Sequence, residues 1–137
     1  WNPLLVKMWL SENRIITLPE LGLPLLTDLW VDSNCLQTLG PLGFLPSLER
    51  LSARNNQLRS LAAPLAASPL LQAVDLTFNQ LGPAEPARAV RLHPGLRRLQ
   101  LNDNPVTAEL MTSYRAWALQ LAPQLEEFDN EEVTESE

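Results

Sequence analysis

Apolar residues return along this chain in a fixed order. Aligned on L-x-x-L-x-L-x-x-N-x-L, the sequence yields five copies. They are Leu5, Met8, Leu10, Asn13, Ile15; then Leu26, Leu29, Val31, Asn34, Leu36; then Leu48, Leu51, Ala53, Asn56, Leu58; then Leu71, Val74, Leu76, Asn79, Leu81; and Leu96, Leu99, Leu101, Asn104, Val106. The asparagines lie 21, 22, 23 and 25 residues apart, a regularity that chance does not supply. Within each copy the fourth and sixth positions alternate with polar ones at period two, which predicts a short strand pointing them into a core. The asparagine follows where the chain turns away. Its amide carries two donors and an acceptor, enough to pair backbone groups that the turn leaves bare. No single coil can bury its apolar face, so the coils must stack into a one-dimensional solenoid with a parallel sheet on the concave side.

The remaining residues of each copy return along the outside. There Leu18, Leu21, Leu39, Leu42, Leu61 and Leu65 follow the three- to four-residue spacing of helical or 3₁₀ turns. The connection from Gly82 to Gly95 is the longest and carries Pro83, Pro86 and Pro94. It reads first as an enlarged convex turn, with a short helix from Ala84 to Leu92 as the alternative. After the fifth copy, Thr107 is suited to an N-cap, and Glu109 to the first turn of a helix. Leu110, Tyr114, Trp117 and Leu121 then give that helix one apolar face, and Pro123 stops it. Such a face would cover the open edge of the last strand, so Trp117 reads as core rather than as a ligand contact.

Of 137 residues, 30 are Leu and 45% are hydrophobic, which suits one ordinary core and excludes a disordered chain. No apolar stretch is long enough to span a membrane. The net charge of −6 is unevenly placed. Seven acids, Glu126, Glu127, Asp129, Glu131, Glu132, Glu135 and Glu137, fill the last twelve residues, and the rest carries ten bases against nine acids. The run reads as a solvated acidic terminus on a nearly neutral body, and that balance argues against a nucleic-acid partner. A single cysteine, Cys35, forms no internal disulfide and points to a reducing compartment, hence a cytoplasmic setting with the nucleus still open. A start at Trp1, with no cap before Leu5, reads as a segment of a longer chain whose other parts cover that end.

These copies resemble the intracellular leucine-rich repeat class with repeats near 22 residues. That class includes the phosphatase-1 regulatory subunit, the spliceosomal A-prime protein, and the light chain and assembly factor of axonemal dyneins. A second resemblance lies in Asn104-Pro105-Val106, Tyr114-Arg115, Pro123, Leu125, Phe128-Asp129 and Val133-Thr134, which look like the carboxy-terminal cap of the class, with Phe128 where Leu is usual. The resemblance implies an α/β fold: a right-handed leucine-rich repeat solenoid with a parallel concave sheet, a helical or 3₁₀ convex side and a helical cap. It divides the chain into repeats over 1–106, a cap over 107–134 and an acidic tail end over 135–137. It also implies a scaffold role, with axonemal, ciliary or centrosomal assemblies as settings.

Catalysis finds no support in the sequence. His93 and Cys35 fall more than two repeats apart, no four-ligand metal set can be assembled, and the five glycines are scattered singly. The expected function is therefore non-enzymatic, with no cofactor and no metal.

The informative residues are those the ladder leaves facing out of the concave side. Third positions are Lys7, Asp28, Arg50, Ala73 and Arg98; fifth positions are Trp9, Trp30, Ser52, Asp75 and Gln100; beyond them come Asp32, Arg54 and Phe78. Trp9 and Trp30 should be neighbours on adjacent strands, with fixed charges beside them. That composition fits a hot spot for a protein segment or helix. The plain alternative is that the two indoles only stack on each other. The rival function is a ribonucleoprotein or RNA-export role, in which the Trp and Arg residues stack on bases and meet phosphates.

Overall fold

The computed structural model describes residues 2–40, 43–61, 67–91 and 93–136. Leu42, Leu65 and Leu92, read above as parts of the convex side, lie outside the described residues, as do Trp1 and Glu137. Five short parallel strands stand side by side: β1 (Lys7–Trp9), β2 (Asp28–Trp30), β3 (Arg50–Ser52), β4 (Ala73–Asp75) and β5 (Arg98–Gln100). Their register aligns equivalent repeat positions. Met8, Leu29, Leu51, Val74 and Leu99 form one inward row, and the residues on either side of them face the opposite way. Behind the sheet, Leu21, Leu23, Leu26, Leu36, Leu39, Leu45, Leu58 and Leu61 fill a continuous core and are all at most 1% exposed.

Asparagine side chains hold the coils together where the strands end. The Asn34 Oδ1 accepts the Ile15 N–H at 3.0 Å while its Nδ2 donates to the Leu10 and Val31 carbonyls. Asn56 does the same with Leu36, Val31 and Ala53, Asn79 with Leu58, Ala53 and Leu76, and Asn104 with Leu81, Leu76 and Leu101. Each amide thus bridges its own coil and the one before it. Asn13 is the exception: it donates only within its own coil, to Leu10 and Ser11, and stays exposed. Asn56→Ala strips partners from buried backbone groups and is expected to cost about 1–3 kcal/mol. A urea melt checks this; an unchanged midpoint would place the amide outside the stack.

A second signal repeats along the chain, outside the leucine–asparagine pattern. Pro3, Pro24, Pro46, Pro69, Pro94 and Pro123 each stand two residues before a leucine, at the second position of a tight turn that leads into a strand. The turns close with bonds of 3.0–3.3 Å from the N–H of Leu5, Leu26, Leu48, Leu71, Leu96 and Leu125 to the carbonyl three residues earlier. Proline suits that position because its ring presets φ there. Pro123 therefore does more than stop a helix: it starts a sixth, partial coil.

Among the described residues, the outer crossing of the first coil is less helical than its spacing implied. Residues 17–23 carry Leu18, Leu21 and Leu23 into the core without helix, in irregular backbone that turns at Gly22 with φ +57°. The Gly82–Gly95 connection, read first as an enlarged turn, instead holds helix α1 (Ala84–Arg91). Pro86 is tolerated there because N–H groups of a first helical turn have no intrahelical partner. Ala89 packs inward, and Glu85 accepts the Leu61 N–H of the neighbouring coil at 3.2 Å.

The cap also departs from the single helix expected over 107–121. Helix α2 (Pro105–Leu110) starts with Asn104 as N-cap and Pro105 in the first turn; Thr107 sits three residues on, its hydroxyl bonded back to Asn104. The Asn104 side chain belongs to the ladder, so the hydroxyl takes over at the helix start. A 3₁₀ turn (Met111–Ser113), with Met111 at φ +46°, then redirects the chain into α3 (Tyr114–Leu121). That bend lets Tyr114 pack against Phe128, ring centroids 5.1 Å apart and planes tilted by 52°, and donate its hydroxyl to Asp129 Oδ2 at 2.8 Å.

Most of the acidic run is not a loose terminus. β6 (Glu127–Phe128) adds to β5 in parallel and β7 (Glu131–Glu132) folds back on β6. The strand edge of β5 is thus covered by another strand rather than by the helix face. Asp129 and Asn130 both take positive φ, +52° and +66°, as a tight hairpin of this hand requires. Phe128, 1% exposed, occupies the inward row beside Leu99, and Arg115 bonds the Glu132 carbonyl at 3.0 Å and pairs with Glu131 at 3.3 Å.

Candidate functional site: the concave sheet face

The strand register brings the outward residues into two rows. One runs Lys7, Asp28, Arg50, Ala73, Arg98 and Glu127; the other runs Trp9, Trp30, Ser52, Asp75 and Gln100. Glu127 joins the first row only because the acidic run folds into a strand, which its charge pattern concealed.

Trp9 and Trp30 are stacked face to face, centroids 4.6 Å apart and planes 2° from parallel. That separation matches the spacing of neighbouring strands, so the register itself sets the stack. Trp9 is 63% exposed, while Trp30 is half-buried under it. The stacking offered above as the plain alternative is present, and it leaves one indole face and its edges open to solvent.

Several charged residues expected to meet a partner are engaged within the sheet. Asp28 is the clearest correction, being only 1% exposed. Arg50 Nε donates to one of its oxygens, Thr27 Oγ1 to the other at 2.6 Å, and Lys7 approaches to 4.0 Å. Burial raises the pKa of this carboxyl, but the Thr27 and Arg50 bonds and the two positive charges outweigh it and hold it below its usual value. Two long side chains fold over the shorter one, which is why an outward strand position becomes a covered one. Asp32 Oδ1 accepts from the Ser52 hydroxyl at 2.6 Å and from the Arg54 N–H at 2.8 Å, and Arg54 pairs with Asp75 at 3.5 Å. Gln100 donates to Asn130 at 2.8 Å. Lys7, Arg50, Arg54 and Arg98 remain exposed at their heads.

At the far end of the strands, the residue before each ladder asparagine adopts left-handed backbone: Glu12, Ser33, Asn55, Phe78 and Asp103 have φ between +51° and +58°. Polar residues tolerate this; a bulky aromatic is strained by it. Phe78 is also 51% exposed, beside Asp32, Arg54 and Asn55. Phe78→Asn is expected to raise stability by about 1 kcal/mol through relief of that strain. A lower melting midpoint would show that contacts of the ring outweigh it.

Burial pushes the Asp129 carboxyl above its ordinary value although Leu101 and Asn102 N–H groups and the Tyr114 hydroxyl bond it. Burial, and then the Asp129 charge, push Tyr114 up as well. Both sit in the cap and serve its closure. His93, 3% exposed, lies in the turn before β5, and Cys35 follows Asn34 in the second coil. Among the described residues no cluster of His, Cys, Asp and Glu is arranged to hold a metal, and no helix is long and apolar enough to cross a membrane.

No family model and no curated protein matches the sequence. Solved structures do. A chain in the crystal structure of the Drosophila melanogaster SNF/U2A′ complex superposes with a TM-score of 0.85 at 25% identity, over 95% of this chain and 75% of that one. With the repeat spacing, the parallel register and the asparagine ladder, that likeness settles the architecture. The chain is a leucine-rich repeat solenoid. Such solenoids present their concave sheet as an extended binding surface, and the rows above lie on it.

Proposed function

We propose that this leucine-rich repeat chain is a non-enzymatic protein-interaction module that holds a partner segment or helix on its concave face, with the Trp9–Trp30 stack as anchor. The carrying observation is the stack itself: a large, rigid apolar surface, partly exposed and framed by side chains already ordered by ion pairs. A partner that covers it buries aromatic area at little entropic cost, which is how binding hot spots work. The likeness to a chain solved within the SNF/U2A′ complex supports a partner-bound role. Cytoplasmic axonemal, ciliary or centrosomal settings rest on the sequence resemblance alone.

A ribonucleoprotein role is the second reading, and the same structural likeness favours it. The charge does not, since the Asp28 and Asp75 carboxylates pair with the Arg50 and Arg54 side chains beside the indoles. Affinity capture with the wild type beside a Trp9→Ala/Trp30→Ala variant, repeated across a salt series, separates the two. A protein captured through the stack is lost in the variant and falls only modestly with salt, whereas RNA retention falls steeply.

A further inference from the structure

We propose that a notch between Arg50 and Arg98, on the flank where the strands begin, binds a single anionic group, a carboxylate or phosphate monoester borne by a peptide side chain. This goes beyond the indole anchor and fails or stands independently of it. In the third-position row, Ala73 separates the two arginines, which lie two inter-strand spacings apart, about 10 Å. The methyl side chain leaves a gap there, and the next turn adds to it because Gly95 stands where Leu4, Leu25 and Leu70 stand in other coils. The result is a depression of about 490 Å³ with Leu70, 54% exposed, as its apolar wall.

The donors are suited to one anion and no more. Arg98 is exposed and makes no ion pair or hydrogen bond among the described residues, and Arg50 uses its Nε on Asp28 while its two terminal nitrogens stay free for a bidentate bond. Arg97 is held by Glu126 at 3.5 Å and by the Pro94 carbonyl at 3.2 Å. Glu49 and Glu126 also line the depression, Asp28 lies beneath Arg50, and Glu127 is the register neighbour of Arg98. Four carboxylates thus surround three guanidiniums, so no excess of positive charge draws anions in from a distance. Recognition must therefore come from fork geometry at short range, which selects an isolated anionic side chain with an aliphatic neighbour for Leu70 and disfavours a polyanion.

The test uses the full chain, isotope-labelled, titrated with blocked tetrapeptides Ala-Leu-X-Ala in which X is glutamate, phosphoserine or glutamine. Arginine side-chain N–H signals and the backbone signals of Ala73 and Gly95 are followed by NMR. The expected result is a saturable shift confined to Arg50, Arg98, Ala73 and Gly95 with at least one of the two anionic peptides and none with glutamine; comparing glutamate with phosphoserine tells which anion the notch takes. Arg98→Gln and Ala73→Leu, the second of which fills the gap without changing any charge, should each weaken binding at least tenfold, while Arg59→Gln should not. Shifts spread without saturation over Arg14, Arg59 and Arg88, binding unaltered by Ala73→Leu, or equal binding by inorganic phosphate alone would overturn the proposal.

Discussion

Phe128→Ala is expected to lower stability by about 3–5 kcal/mol, the range for deleting a fully buried aromatic ring. The ring is 1% exposed, packs against Tyr114 and occupies the inward row beside Leu99, so truncation opens a cavity where the sixth partial coil closes the core. It also loosens β6, whose backbone pairs with the otherwise open edge of β5. The stronger form of the experiment removes residues 107–137. That exposes a strand edge together with the apolar end of the stack, and dye binding and concentration-dependent aggregation should follow. Removing only residues 134–137 should leave the melt unchanged, because Arg115 and the Val133 N–H, bonded to the Glu126 carbonyl at 2.9 Å, still close the hairpin. A monomeric 1–106 fragment with the stability of the whole chain would refute the cap assignment.

How much of this was legible in the sequence depended on whether a feature repeats. The leucine and asparagine positions of the repeat recur five times, and each recurrence multiplies the signal, so Met8 aligns with Leu29, Leu51, Val74 and Leu99 as the spacing requires. The prolines recur six times and carry equal information: Pro123, which by itself reads as a helix stop, marks a sixth coil once it is aligned with the other five. Features that occur once were read less well. Charge alone makes the acidic run read as a solvated terminus, while the cap resemblance takes in Phe128-Asp129 and Val133-Thr134; one buried ring with a hairpin turn of Asp129-Asn130 is enough to order it. The helix break at Met111 has no residue signature, since Leu110 and Tyr114 keep helical spacing across it; tertiary packing of Tyr114 on Asp129 and Phe128 decides it. At the concave face, position in the strand told which side each residue faces but not whether a neighbour covers it. Asp28 was placed correctly in its row and is nevertheless buried, because coverage depends on how the longer Arg50 and Lys7 side chains lie.

The indole pair is where register and coverage both favour an exposed site, and its double truncation carries the functional reading. Trp9→Ala/Trp30→Ala removes a parallel stack whose aromatic contact contributes about 0.5–1.5 kcal/mol beyond area burial. Because Trp30 is half-buried, the stability loss should reach about 1–2 kcal/mol, more than for two ordinary surface sites, with the urea slope unchanged. The inward neighbours Met8, Leu10, Leu29 and Val31 are untouched, so the solenoid should still fold. Affinity for a partner captured by the wild type should fall by roughly 2 kcal/mol or more, about 30-fold, since aromatic anchors dominate such interfaces. The single variants refine this. Trp9→Ala uncovers Trp30, leaving an indole at the site, so it should lose less affinity than the pair while keeping most of the stability. If stability collapses but affinity per folded molecule is unchanged, the indoles are structural. If neither changes, the concave site lies elsewhere on the face, and Phe78 is then the aromatic to truncate next.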